Sequence, residues 1–204
     1  MASEVKANKL SPATGTDFTF GDSGDTFTVP SGATLTVASG GTITNSGTAT
    51  GFSSGDNTPA FSVHQKTAQN NQSMNTWIKC NYNTEDFDTD SAFDTALNRF
   101  TVPAGKAGKY YIYARVWMSS SSGQGAMHAG LLQFYKNGSA DYDHLAFHDH
   151  RTSASQGSLY ITTWLSEMFD LSESDYIEVY CQGSGGGTLK IDNNYNTFGG
   201  FKLV

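Results

Sequence analysis

Apolar and polar residues alternate along this chain in short runs, and the runs are of two kinds. The first kind fills the N-terminal quarter in blocks of eight. Thr26-Phe27-Thr28-Val29 is followed by Pro30-Ser31-Gly32-Ala33, Thr34-Leu35-Thr36-Val37 by Ala38-Ser39-Gly40-Gly41, and Thr42-Ile43-Thr44 by Asn45-Ser46-Gly47. Four residues of period-two alternation closed by Ser-Gly predict a short strand and a turn. Recurrence every eight residues makes this an internal repeat. One block cannot bury its apolar row of Phe27, Leu35 and Ile43, with Val29 and Val37 beside it. Stacking successive turns, or winding identical chains together, buries it. The pattern predicts a β-repeat stem over 17–52. The alternative is a flexible Gly/Thr/Ser linker, which has no need of apolar residues in phase.

The second kind of run is longer and rich in aromatics, and it fills residues 59–204. Ala60-Phe61-Ser62-Val63, Arg99-Phe100-Thr101-Val102, the run 109–117 and the run 130–135 all read as strands. So do 76–80, 157–164, 176–181 and 198–204. Pro103-Ala104-Gly105, Lys136-Asn137-Gly138-Ser139 and the glycine-rich stretch 183–187 read as turns between them. Eight to ten short strands with no helical period longer than ten residues imply an all-β sandwich or jelly roll. Tyr111 and Tyr113 share one strand parity and Tyr110 opposes them. A lone sandwich would leave one of these rows exposed, so a neighbouring subunit is expected against it.

Composition sharpens the division. There is no Lys or Arg from 10 to 63, and the first 51 residues hold Phe18, Phe20 and Phe27 as their only aromatics. Too few apolar residues are present there to close a core. Residues 1–16, with Lys6, Lys9 and Pro12, read as an attachment tail and 53–58 as a hinge. The net charge of −7 over 204 residues argues against nucleic acid as a partner. No run of 18 apolar residues exists, so membrane insertion is not expected. The first residues lack an apolar signal region, so synthesis in a cytoplasm is expected. Two cysteines, Cys80 and Cys181, are too few for a disulfide framework and read as buried small hydrophobes.

The residues of the second part carry a resemblance. The landmarks, in chain order, are Ala60-Phe61-Ser62-Val63, Phe93-Asp94, Phe100-Thr101-Val102-Pro103, Gly108-Lys109-Tyr110-Tyr111-Ile112 and Lys136-Asn137-Gly138. They continue with Leu171-Ser172-Glu173-Ser174-Asp175-Tyr176 and Asn196-Thr197-Phe198-Gly199-Gly200-Phe201. Together they resemble the C1q-like domain of the C1q/TNF superfamily. Ser174 stands where that family usually has Gly, and the Thr-rich octads stand in place of a collagen-like stalk. The octads and their flank, Ala7-Asn8-Lys9-Leu10-Ser11-Pro12, resemble virion appendage proteins of tailed phages, marine ones especially. The first resemblance implies a ten-stranded jelly roll assembled as a homotrimer. Tyr111, Tyr113 and Phe198 are the expected trimer contacts.

No catalytic constellation emerges: Gly-x-Ser-x-Gly, His-Glu-x-x-His and phosphate-loop motifs are all absent. Neither an enzyme nor an organic cofactor is expected. Asp86, Asp88, Asp90 and Asp94 lack the glycine and terminal Glu of an EF-hand and read as a solvated acidic loop, with a calcium site as the alternative. Three of the five histidines fall within 144–150. On a strand His144, His148 and His150 share a face, and imidazoles so placed are candidate ligands for a divalent metal. The competing arrangement is a polar outward face with Leu145 and Phe147 turned inward. Loops at the end far from the stem are the expected binding surface, through Ser121, Gln124, Asp149, Arg151 and Ser184. Small polar loops suit a polar ligand such as a host cell-surface glycan.

These observations imply a non-enzymatic virion structural protein, a bacteriophage fibre or appendage. Residues 1–52 attach it to other virion proteins, and a trimeric knob decorates the particle or attaches to a host. The alternative is a secreted or cell-surface adhesion module of C1q type.

Overall fold

The computed structural model describes residues 14–15, 20, 23–44, 46, 57–120, 127–149, 159–193 and 195–203, with 141–143 described as backbone only. The attachment tail falls almost wholly outside these residues, as does most of the hinge. The chain divides into two units, Met1–Phe52 and Ser53–Val204.

In the first unit the eight-residue period reappears as a repeated turn. Gly24, Gly32 and Gly40, spaced by eight, all take positive φ, at 98°, 82° and 86°. A residue with a Cβ pays for that conformation, which is why glycine recurs there. Ala33 N–H donates to Pro30 O at 3.0 Å and Gly41 N–H to Ala38 O at 2.9 Å, so two successive turns close the same way. The short strands predicted between the turns have no ladder partners among the described residues.

The second unit is all-β, with thirteen strands and no helix among the described residues. Its two sheets form a jelly-roll sandwich. In the first sheet β7 (Gly108–Ser120) is central. On one side β10 (Tyr160–Leu171) pairs with it from Tyr160↔Ser119 to Leu171↔Gly108. On the other side β13 (Thr197–Lys202) covers its first half and β12 (Thr188–Ile191) its second. Beyond β13 lie β1 (Ala60–His64) and β4 (Thr84–Asp88), and beyond β12 lies β2 (Gln69–Ser73). The second sheet repeats the plan around β11 (Tyr176–Gly185). β8 (Met127–Lys136) and then β9 (Ser139–Asp149) lie on one side. β3 (Ile78–Lys79) and β6 (Arg99–Thr101) share the other, with β5 (Phe93–Asp94) outside β6.

The alternation read from the sequence explains why these strands face as they do. Along β7, Tyr110, Ile112, Ala114, Val116 and Met118 are buried between the sheets, and Tyr111, Tyr113, Arg115 and Trp117 point away. An aromatic cluster centres the core. Phe61 stacks on Phe100 at 4.7 Å and Phe198 meets Phe61 edge-on at 5.0 Å, with Tyr82 5.4 Å from Phe198. Gly200 lets two layers approach closely: a Cβ there would stand 2.5 Å from Ile112 Cδ1 and 2.8 Å from Tyr111 O. Asn137 and Gly138 both have positive φ, 53° and 76°, the pair of values a two-residue type I′ hairpin requires.

The thirteen strands exceed the ten expected. β2 and β4 supply part of the difference, and their sequences, QNNQS and TEDFD, carry no apolar alternation. They are strands because β12 and β1 offer them ladder partners.

Candidate functional site

Among the described residues, the outer face of the first sheet gathers several of the jelly roll's exposed large apolar side chains. Its rows follow from the register. Met168, Tyr111 and Phe201 lie side by side on β10, β7 and β13, as do Ser166, Tyr113 and Gly199, and then Trp164, Arg115 and Thr197. Met168 is 70% exposed and Trp164 66%. Tyr111 lies 5.6 Å from Phe201 and 6.3 Å from Tyr113 between ring centroids. A cavity of about 380 Å³ opens among Tyr111, Tyr113, Trp164 and Leu165. Tyr111 and Tyr113 thus point outward, as their parity predicts. Phe198 does not. It is fully buried in the aromatic cluster, because the intervening positions on the same face as Tyr113 are Thr197, Gly199 and Phe201. An interface role for Phe198 is corrected accordingly, and Phe201 takes that place on the surface. Trp164 and Met168 hold the largest exposed area here, and the sequence reading passed over them. Their signal is period-two spacing with Tyr160 along β10.

At the far end of this face the strands open into a second, more polar cavity of about 300 Å³. Trp117 and Ser119 of β7, Tyr160 of β10, Asn70 and Asn71 of β2, and Lys190 of β12 line it, with Asp192 just beyond β12. The Trp117 and Tyr160 rings are 5.3 Å apart, and Tyr195 meets Trp117 at 5.3 Å from the side. Lys190 Nζ lies 2.9 Å from Asp192 Oδ2. Beneath the rings, Trp117 N–H donates to the side-chain oxygen of buried Asn196 at 2.6 Å, and Asp192 N–H donates to Trp117 O at 3.0 Å. A third cavity, about 210 Å³, lies on the other side of Tyr195 and is lined by His64, Lys66 and Arg115.

The strand ends that flank the predicted binding loops lie at this same end. The registers Tyr160↔Ser119, Ala129↔Asp149, Ser184↔Ala129 and Leu189↔Ser120 bring their strand ends together. Pro59 and Leu203 lie at the opposite end, where Lys202 N–H donates to Pro59 O and Leu203 N–H to Lys109 O. Ser121, Gln124 and Arg151 lie outside the described residues. Asp149 is exposed at the end of β9. Ser184 is not in a loop. It pairs with Ala129 inside β11, and the preceding glycine answers a packing need: a Cβ on Gly183 would stand 2.7 Å from Leu189 Cδ1.

The histidine stretch also folds otherwise than expected. β9 is an edge strand, and its half-buried residues are His144 and Ala146, whereas Leu145 and Phe147 are exposed at 38% and 56%. The His144 ring lies 4.6 Å from that of Phe169, and His148 Nδ1 lies 3.1 Å from Thr162 O on β10. Both imidazoles therefore turn toward β10, the reverse of the outward polar face. Four residues of extended strand separate them by roughly 13 Å, too far for one ion to be held by both within one chain. His150 lies outside the described residues. Among the described residues no group of three His, Cys, Asp or Glu side chains gathers as a metal site.

Local hydrogen bonds account for the acidic stretch. Asp86 pairs with His64 and Ser62, Asp88 accepts from Phe93 N–H at 2.7 Å, and Asp94 accepts from Ala96 and Leu97 N–H. Asp90 faces Lys106 at 3.3 Å. Cys80 and Cys181 are buried free thiols. A hydrogen bond with Cys80 and then burial push the Cys181 thiol well above its ordinary pKa, and burial does the same to the Tyr82 phenol beside them. The thiolate form that would make the Cys181 sulfur reactive is therefore disfavoured.

No family model and no curated protein matches the sequence. Among solved structures, the globular domain of zebrafish complement 1qA protein aligns at 16% identity and a TM-score of 0.47, over 72% of this chain and 98% of that one. Murine APRIL aligns at 12% identity and a TM-score of 0.49, over 71% and 98%.

Proposed function

We propose that this chain is a non-enzymatic binding module that assembles as a homotrimer: the knob of a virion appendage carried on a stem of Thr-rich octads. The observation that carries the reading is the outer face of the first sheet. Among the described residues, Trp164 and Met168 stand exposed beside half-buried Tyr111 and Phe201 on one face. Burying each large apolar side chain contributes about 1.5–3 kcal/mol, so association of like faces is strongly favoured. The C1q-like motifs supply the number three. The octads repeat the situation on a smaller scale, since their apolar row is also exposed in one chain. Association of three chains buries each of these surfaces. In this reading residues 1–52 join the knob to other virion proteins, and its loop-bearing end points away from the particle.

The test is mass and location. Sedimentation equilibrium on the intact chain is expected to give three times 21.9 kDa, and Met168→Asp to give monomer, since a carboxylate desolvated in an apolar contact costs several kcal/mol. A wild-type monomer overturns the assembly. Immunogold labelling with an antibody to residues 59–204 is expected to mark particles at their periphery. Unlabelled particles overturn the virion assignment and leave the trimer standing.

A further inference from the structure

We infer that the polar cavity at the distal end of the outer face is a binding subsite for a neutral pyranose ring. The inference rests on the reading of the chain as a binding module and names the chemistry of its ligand.

The cavity combines two kinds of wall. One is aromatic. Trp117 and Tyr160 stand 5.3 Å apart with 34° between their planes, and Tyr160 is 51% exposed. Tyr195, 68% exposed, lies outside the lining and packs edge-on against Trp117 at 5.3 Å. Exposed aromatic faces with polar rims are amphipathic surfaces. They suit a ligand with an apolar face and a polar edge, and the ring C–H groups of a pyranose form such a face.

The other wall is polar and electrically balanced. Lys190 Nζ is paired with Asp192 Oδ2 at 2.9 Å, so the pair offers donors and an acceptor with no net charge. Asp192 is itself nearly buried and fixed, its Oδ1 accepting from Asn193 N–H at 2.9 Å. Asn71 and Ser119 add side chains that both donate and accept. Hydroxyl groups, which also do both, match this set. A phosphate calls for uncompensated cations, and a purely apolar ligand would strip water from the Lys190–Asp192 pair and put no hydrogen bond in its place.

The backbone is shaped for the purpose. The β12–β2 ladder shifts register between Leu189 and Ile191, so Lys190 sits on an irregularity opposite Asn70 and Asn71. Such irregularities re-aim a side chain at sheet edges. Asn71 holds φ at 55°, a conformation rare for a residue with a Cβ. At about 300 Å³ the cavity lies at the small end of the range for ligand pockets and accommodates one ring. The cavity on the lower half of the face is lined by other residues, Tyr111, Tyr113, Arg115 and Trp164 among them, and shares none with this one. The subsite is thus separable from the surface proposed for self-association.

The experiment is saturation-transfer NMR on the intact chain with the methyl pyranosides of glucose, galactose, mannose and N-acetylglucosamine. At least one is expected to receive saturation, most strongly at its ring C–H protons, with a Kd on the order of 1 mM. Tyr160→Ala and Lys190→Ala are each expected to weaken binding about tenfold at unchanged oligomeric mass. No saturation of any pyranoside by a folded trimer overturns the subsite and leaves the trimer reading intact. Binding that survives both substitutions, or a loss of trimer in Tyr160→Ala, also overturns it, the first by placing the sugar elsewhere and the second by making the cavity a subunit contact.

Discussion

The two units of this chain are written in nearly the same local grammar and reach different ends. Both alternate apolar and polar residues over short runs, and both punctuate the runs with positive-φ residues. In the octads the punctuation succeeds: Gly24, Gly32 and Gly40 turn alike. The runs between them fail to bury anything, with Phe27, Leu35 and Ile43 exposed at 61%, 63% and 62%. In the jelly roll the same alternation sends Tyr110, Ile112 and Val116 to complete burial. Turn geometry is decided by two to four residues, whereas burial needs a second layer. The second unit brings its own layer, and the described octad residues have none.

The comparison breaks most sharply at Gly200, where an added Cβ meets backbone at 2.8 Å as well as a side chain. Gly200→Ala is expected to destabilise the jelly roll by about 3 kcal/mol, the upper range for overpacking a core. Thermal denaturation followed by near-UV circular dichroism reads this directly. A transition unchanged within about 0.5 kcal/mol would show that β13 can move away from β7.

The next change acts on the other unit. Leu35→Ser with Ile43→Ser is expected to leave the knob's melting transition in place and to make residues 17–50 cleavable by a nonspecific protease at least ~10-fold faster, because the row that packs between chains is gone. Equal cleavage rates before and after would make the octads a linker.

The smallest effect distinguishes the units by pH. Hydrogen bonds from Asn137 Nδ2 and Ser172 N–H, with Lys136 close by, hold the Asp175 carboxyl down at about 2. A carboxylate whose pKa is depressed by folding stabilises the fold above its unfolded value and loses that contribution as pH falls through the folded value. The jelly roll is expected to lose on the order of 1 kcal/mol between about pH 4 and pH 2, after allowance for solvent screening. Asp175→Asn is expected to flatten that slope in urea titrations at each pH, and an unchanged slope would remove Asp175 as its source. The described octad residues 26–44 contain no ionisable side chain, and none of this slope belongs to them.

How much was legible followed the same division between local and distant causes. The long strands β7, β8, β10 and β11 show in the sequence because each carries its own aliphatic and aromatic alternation. The hairpin at Asn137-Gly138 shows because two residues suffice to make it. Ser174, standing where the resembling family has glycine, adopts a φ of 67°, so the backbone kept the demand that the residue type no longer advertises. What failed depended on neighbours far along the chain. Gln69–Ser73 became a strand through β12, and the facing of β9 follows β10, against which His144 and His148 pack. Phe198 was misplaced because Gly199 and Gly200 carry no side chain with which to mark the two faces. The polar cavity was invisible for the same reason: Asn71, Trp117, Tyr160 and Lys190 come from four strands, and no spacing in the sequence relates them.

The pairing of β1 with β13 also sets a timetable. Ala60 faces Phe201 and Val63 faces Phe198 across the ladder, so the opening strand of the jelly roll is flanked by its closing one. Contacts so distant in sequence cost loop-closure entropy before they return anything, which slows folding. On the ribosome, β1 has no β13 to join until Thr197–Lys202 has been made. Chains still in synthesis carry an unpaired strand edge, and crowded polysomes expose such edges to one another. The jelly roll therefore closes only once β13 has been made, and its yield is governed by the interval between the appearance of β1 and that closure.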